Sequence, residues 1–90
     1  MQGVLPNPMP AGGRIHFSLD QGQAQLVVRI FDVTGRLVRD FGQFEVGPGD
    51  HHIHWDGGSD TGNLVQSGMY FSRIAGNNDI RGTTKVLVVR

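Results

Sequence analysis

Apolar and polar residues alternate over several short segments of this chain. That period of two is typical of a β-strand with one buried face. In RIHFSL (residues 14–19) the apolar residues Ile15, Phe17 and Leu19 share one face. In AQLVVRIFD (24–32) one face is apolar and consists of Leu26, Val28 and Ile30. The other face is mixed and consists of Val27, Arg29 and Phe31.

Turn-forming residues separate these segments. Further strand-like stretches are RLVRDFGQF (36–44), HHIHW (51–55), MYFSRIA (69–75) and IRGTTKVLVVR (80–90). The connections VTGR, VGPGD and GNND carry the glycine, proline and asparagine that turns favour, and Gly42 marks an expected β-bulge. No segment combines a helical period with credible caps. The pattern predicts an all-β fold, an antiparallel sandwich of six or seven strands.

Length and charge limit the class of protein. The 90 residues are enough for one domain with a modest core, and their formal net charge of zero gives no reason to expect nucleic acid as a partner. The absence of cysteine excludes disulfides and thiolate chemistry. No apolar run approaches the roughly 18 residues of a spanning helix, so we expect no membrane insertion. The first residues do not form a signal peptide, and we expect residues 1–90 to be one domain excised from a longer protein.

The loop after HHIHW is rich in aspartate and glycine. When an EF-hand pattern is counted from Asp56, Gly58 occupies a ligand position and Ser67 occupies the position that needs a glutamate. Only Asp56 and Asp60 therefore match the calcium ligands of that pattern. The favoured interpretation is that both carboxylates bond to nearby backbone N–H groups while glycines supply positive φ. Weak calcium ligation by these two aspartates stays as the alternative.

Histidines and aromatic residues offer two other candidate sites. His52 and His54 leave the same face of a strand and could hold zinc with a third ligand, although a solvent-facing stripe is the commoner arrangement. Trp55 shares the apolar face with Ile53, which favours core packing over a sugar-stacking platform. The better candidates for exposed aromatic residues are Phe31, Phe41, Phe44 and Phe71.

Catalytic motifs are missing from the sequence. It contains no Gly-x-Ser-x-Gly elbow and no phosphate-binding loop, and no spacing suggests a catalytic triad. A small sandwich also offers little room for the pocket that paired carboxylates need. We therefore expect neither catalysis nor a cofactor.

Four stretches in a fixed order resemble one family. They are LPNPMP (5–10), IFDVTGRLVR (30–39), WDGGSDTGNLVQSGMYFSRI (55–74) and KVLVV (85–89). In order and spacing they resemble the Ig-like domain of the flagellar hook-capping family and the related C-terminal sorting domains of type IX secretion. The shorter sorting domains usually lack the long Trp-Asp-Gly loop, which is complete here as in the hook-capping type.

The resemblance implies an Ig-like sandwich of about seven strands and a role as a C-terminal address. In that role a passenger crosses the outer membrane, and the domain is recognised and often removed at the cell surface. The positions matched to structural turns are Pro6, Asn7, Pro8, Asp32, Gly35, Arg36, Asp56, Gly57, Asp60 and Gly62, with Trp55 beside them. The positions matched to recognition are Gly68, Tyr70, Lys85, Val86, Leu87, Val88 and Val89.

These expectations combine into one functional hypothesis. The chain is a non-catalytic sorting or anchoring module of a secreted bacterial protein, recognised by a type IX secretion system at the cell surface after passage through the periplasm. Its partners are that machinery and an N-terminal passenger domain, and we expect a monomer. The alternatives are a structural Ig-like spacer or assembly domain and a carbohydrate-binding module. The final strand can be interpreted as an ordinary paired strand of the sheet. It can also be interpreted as a segment that a receptor recognises by strand addition, and the two interpretations are compatible.

Overall fold

The computed structural model describes residues 2–5, 13–19, 24–77 and 81–89, with the backbone alone for residues 2–5 and 24. Pro6, Asn7 and Pro8, matched above to structural turns, lie outside the described residues. Part of the expected GNND turn does so as well.

Seven strands form two antiparallel sheets in the described part of the chain. The strands are β1 (Gln2–Leu5), β2 (Gly13–Leu19), β3 (Ala24–Asp32), β4 (Leu37–Val46), β5 (Gly49–Trp55), β6 (Gly68–Gly76) and β7 (Arg81–Val88). One sheet has the order β1-β2-β5 and the other the order β4-β3-β6-β7. The predicted all-β antiparallel sandwich is confirmed. No helix among the described residues is long and apolar enough to cross a membrane.

The core lies between the facing sheets and follows the alternation in the sequence. In β3 the side chains of Leu26, Val28 and Ile30 are buried, while the residues between them are exposed or half-buried. The buried apolar side chains are Ile15, Phe17, Leu26, Val28, Ile30, Trp55, Tyr70, Ile74, Val86 and Val88. Ser72 is the buried polar residue of this core among the described residues. A sandwich of this size is held together mainly by the apolar area that these side chains remove from water.

The predicted bulge at Gly42 is present. Val27 pairs with Gln43, but Arg29 pairs with Asp40, so one extra residue is inserted in β4. Gly42 has a φ of 85°, which a side chain would strain. The N–H of Gly42 donates to Oδ1 of Asp40 at 2.8 Å. This bond, followed by the nearby Arg29 guanidinium, holds the pKa of Asp40 below its usual value against the opposing effect of desolvation.

The VGPGD segment connects the two sheets. Strand β4 ends at Val46 in the four-stranded sheet, and β5 begins at Gly49 in the three-stranded sheet. The turn therefore carries the chain across the sandwich, and β4 and β5 do not pair as a hairpin. Gly49 has a φ of 112°, which explains the need for glycine at this crossing.

Replacing Gly76 by alanine should destabilise the sandwich. A Cβ there would lie 2.6 Å from both the backbone oxygen of Gln25 and Cδ2 of Leu26, and the backbone oxygen is fixed by strand pairing. We expect Gly76→Ala to lower the free energy of unfolding by about 1–3 kcal/mol in urea denaturation. Gly47→Ala is the matched control, because a Cβ at Gly47 meets no atom within 4 Å. Equal stability of the two variants would contradict this packing.

Candidate functional site

The β3–β4 hairpin is organised by one carboxylate. Oδ1 of Asp32 accepts hydrogen bonds from the Thr34 N–H at 2.9 Å, the Thr34 hydroxyl at 2.6 Å and the Arg36 N–H at 3.1 Å. Gly35 has a φ of 86° and donates its N–H to the carbonyl of Asp32. The Thr34 hydroxyl is the main cause that lowers the pKa of Asp32, and the two N–H donors add to it against desolvation. Of these residues, Asp32, Gly35 and Arg36 are the positions that the resemblance matched to this turn.

The loop from residue 56 to residue 66 is folded on itself by backbone hydrogen bonds. The Ser59 N–H donates to the Asn63 carbonyl at 2.8 Å, and the Val65 N–H donates to the Gly57 carbonyl at 2.8 Å. Asp56 accepts the N–H of Gly58 on Oδ1 at 2.8 Å, as in an Asx-turn. Gly57 and Gly62 have φ values of 80° and 88°, which the two tight bends require. The loop therefore has a defined fold of its own, held by these hydrogen bonds.

Two aromatic side chains of the core hold this loop in place. The indole N–H of Trp55 donates to the carbonyl of Gly58 at 2.9 Å, and the Tyr70 hydroxyl donates to the carbonyl of Gln66 at 2.8 Å. The two rings meet edge to face, with centroids 6.1 Å apart. Trp55 is only 1% exposed, which confirms core packing and leaves no face of its ring for a sugar.

Asp60 joins the loop to the neighbouring strand. Its carboxylate accepts the N–H of Asp40 at 3.0 Å and 3.2 Å, and its own N–H donates to the Val38 carbonyl at 3.0 Å. The Arg39 guanidinium reaches the Ser59 carbonyl at 3.4 Å. The expectation that Asp60 bonds to backbone within its own loop is therefore corrected, because the carboxylate spans to the bulged part of β4.

A metal site finds little support in this geometry. The carboxylate of Asp56 accepts the N–H of Gly58 within the loop, and that of Asp60 accepts the N–H of Asp40 in β4. His52 and His54 are exposed on β5, where His52 faces His16 of β2. Within residues 13–19, 24–77 and 81–89, no three His, Cys, Asp or Glu side chains are grouped to hold a metal ion.

The four phenylalanines proposed as exposed aromatics divide into two pairs. Phe41 and Phe44 are half-buried and pack against the core, so they do not form an outer aromatic row. Phe31 and Phe71 are directly opposite each other on β3 and β6 and point away from the core. The outward aromatic surface is therefore one cross-strand pair in the middle of the four-stranded sheet.

Strand β7 lies at the edge of the four-stranded sheet and alternates in exposure. Val86 and Val88 are buried and face Tyr70 and Gly68 across the strand pair. Tyr70 is itself 9% exposed. Of the positions matched to recognition, the folded domain therefore presents the side chains of Lys85, Leu87 and Val89 to solvent. The other apolar side chains of that set belong to the core.

The hairpin and the loop enclose an open cavity of about 370 Å³ at one end of the sandwich. Leu37 and Leu64, exposed by 43% and 64%, contribute apolar surface to its rim. Asp32 and Asp60 also line it, but their carboxylates accept backbone N–H groups. The cavity offers a contact surface, and these carboxylates are held as structural acceptors rather than as an acid–base pair.

Sequence reasoning did not single out Arg29, Arg73 or Arg39. Arg29 and Arg73 face each other across β3 and β6 on the outer side of the sheet. The alternation of Val27, Arg29 and Phe31 in the sequence could have indicated this surface, because a mixed outward face places charge beside apolar side chains. Arg39 could not be found in this way, because its contact with Ser59 depends on how the loop folds back.

The paired sheets, the crossing turn and the anchored loop define an Ig-like β-sandwich domain. The model of the family described as the FlgD Ig-like domain matches residues 9–79, and the chain belongs to this family. No curated protein matches it.

Two solved structures contain a similar domain. Dimeric latent PorU from Porphyromonas gingivalis matches with a TM-score of 0.79 and 24% identity, over 98% of this chain and 9% of that chain. PorZ, a surface component of the type IX secretion system of the same organism, matches with a TM-score of 0.67 and 27% identity, over 99% of this chain and 11% of that chain. The likeness to PorU supports the fold. The chain spans about a tenth of the length of either protein.

Removing the indole N–H of Trp55 should loosen both the core and the loop. We expect Trp55→Phe to lower the free energy of unfolding by about 1–3 kcal/mol, because the buried Gly58 carbonyl loses its donor. Tyr70→Phe is the matched control and should cost less than about 1 kcal/mol, since Gln66 is exposed and its carbonyl can bind water. Urea denaturation followed by circular dichroism measures both. A Trp55→Phe variant as stable as wild type would contradict the anchoring role.

Asp32 should make stability depend on pH in the acidic range. Its folded-state pKa is lowered, so the carboxylate stabilises the fold above the unfolded-state pKa, and this contribution is lost as the pH falls through the folded-state pKa. We expect wild type to be more stable than Asp32→Asn at about pH 6 and the difference to shrink towards about pH 3. Glu45→Gln, on the exposed side of β4, controls for the loss of one carboxylate. A difference that stays constant with pH would contradict the role assigned to this charge.

Proposed function

We propose that the chain is a non-catalytic sorting or anchoring module of a secreted bacterial protein, recognised by a type IX secretion system. The observation that carries the proposal is the similarity of almost the whole chain to part of PorZ, a surface component of such a system. In this role the domain acts at the cell surface after passage through the periplasm, as a monomer attached to a passenger domain.

The surface chemistry supports recognition rather than catalysis. The acidic side chains best placed for chemistry, Asp32 and Asp60, already accept backbone N–H groups, and so does Asp56. At the edge of the four-stranded sheet, β7 presents Lys85 and Leu87. An edge strand that presents both charged and apolar side chains is suited to recognition by a partner protein.

Membership of the FlgD Ig-like family favours a second candidate function. In this alternative the domain spaces or assembles parts of a larger protein and carries no address. Its surface would then be occupied within the parent protein, and transport would not depend on it.

A secretion assay separates the two candidates. Residues 1–90 are fused behind a signal peptide and a fluorescent reporter and expressed in a host with a type IX system and in a mutant lacking it. We expect the reporter on the cell surface of the first host only. Reporter kept in the periplasm of both hosts, with the domain folded and intact, would contradict sorting and support the spacer.

A pair of variants tests the contribution of β7. Lys85→Glu reverses the charge of an exposed side chain, and Thr83→Glu places a new charge on the same face of the same strand. We expect Lys85→Glu to reduce surface reporter several-fold with an unchanged melting temperature, while Thr83→Glu leaves sorting intact. Equal sorting by both variants would exclude Lys85 from recognition.

A further inference from the structure

The outward side of the four-stranded sheet carries a patch of mixed chemistry, formed by Val27, Arg29, Phe31, Phe71, Arg73 and Ala75. We call it the outer patch. Its residues are in register across β3 and β6: Val27 faces Ala75, Arg29 faces Arg73 and Phe31 faces Phe71. An arginine pair therefore lies between an aromatic pair and an aliphatic pair.

The arginine pair is unfavourable for the fold itself. Like charges directly opposite each other in a strand pair repel and lower stability. Arg29 is compensated by Asp40, whose Oδ2 lies 3.3 Å from its Nε. Arg73 has no ion pair or hydrogen bond among the described residues, and it is exposed. No ion pair or hydrogen bond in the described part of the chain therefore explains the position of Arg73.

A cavity of about 210 Å³ lies within the outer patch and is lined by the two arginines together with Val27, Phe31 and Ala75. Val27, Phe31 and Ala75 supply apolar walls, while Arg29 and Arg73 supply hydrogen-bond donors. Guanidinium groups bind carboxylates in a planar, two-point geometry, and the adjacent apolar walls can cover an aliphatic or aromatic side chain. The cavity therefore fits a carboxylate next to an apolar group.

The surroundings of the outer patch extend its positive charge. Arg81 faces Ala75 across β6 and β7, and Lys85 faces Phe71. The four basic side chains on this side of the sheet are half of the eight in a chain whose net charge is zero. On the same side of the sheet, β4 contributes Asp40 opposite Arg29 and Glu45 opposite Gln25, so the basic side chains of this face outnumber the acidic ones.

We propose that the outer patch is the docking surface for an acidic protein segment that carries an apolar side chain between its carboxylates. A second copy of this chain would bring the same positive charges together and is disfavoured by repulsion. A polyanion without aromatic groups, such as heparin, would leave Phe31 and Phe71 without an apolar contact. The inference rests on the proposed function in taking the domain as a recognition module, and it adds the chemistry of the partner.

The test uses short synthetic peptides as probes of the 90-residue chain. One peptide has a central phenylalanine flanked by glutamates, the second has lysines in place of the glutamates, and the third has glycine in place of the phenylalanine. Titration is followed by the amide resonances of the isotope-labelled chain. We expect the first peptide to shift resonances of β3 and β6 around the outer patch, and the other two to bind at least several-fold more weakly.

Variants identify the residue responsible. Arg73→Glu should weaken binding of the first peptide by at least about tenfold, as expected for reversing a charge in a paired contact. Arg73→Lys should weaken binding less than Arg73→Glu, because lysine keeps the charge but loses the planar two-point geometry of the guanidinium group. Arg14→Glu, exposed on the other sheet, is the matched control and should leave binding unchanged.

Four results of the peptide titrations would overturn the proposal. They are no shift with the first peptide, shifts outside the outer patch, equal binding of the lysine peptide, and an Arg73→Glu variant that binds as well as wild type. Stronger shifts of the same resonances with heparin or with phosphatidylglycerol vesicles would also overturn the proposal and would indicate a surface for polyanions. Concentration-dependent dimerisation through the outer patch would overturn it in favour of self-association. Because the assay needs no secretion, its outcome is independent of whether the domain acts as a sorting signal.

Discussion

The sandwich and its long loop, residues 56–66, both depend on the buried indole of Trp55 and its hydrogen bond to the loop. The ring fills the space between the sheets, and its single N–H reaches the Gly58 carbonyl at 2.9 Å. A buried carbonyl without a donor is costly, so the loop gains stability by keeping this position. Tyr70 adds a second connection from the opposite sheet to Gln66. The loop with the most suggestive composition in the sequence is therefore held by the core.

Much of the fold could be predicted from local patterns. The alternation of Ile15 and Phe17 with polar residues identified a strand and its buried face, and Gly42 marked a bulge. These features depend on residues close in sequence. The contact of Asp60 with the Asp40 N–H joins residues 20 positions apart and depends on the loop already being folded. No periodicity in the sequence could reveal it, and the same holds for the path of the chain between the sheets after Val46.

The candidate site was predicted in its residue types more than in its geometry. Asp56 bonds to a backbone N–H group as its turn chemistry suggested, and Asp32, matched to a turn by the resemblance, does so as well. On β7, by contrast, the sequence pattern did not separate the buried Val86 from the exposed Leu87 as recognition residues, because both lie in one apolar run. Only the sheet register, which places Val86 against Tyr70, shows which side chains a partner can reach.

Native-state hydrogen exchange can show whether the loop is an integral part of the folded domain. The amides of Ser59 and Val65 donate within the loop, whereas Val28 and Val86 lie in core strands. If the core anchors the loop, the opening free energies of the Ser59 and Val65 amides should lie within about 2 kcal/mol of those of the core strands. Exchange of both loop amides at the rate of unprotected amides, with the core strands still protected, would contradict the account.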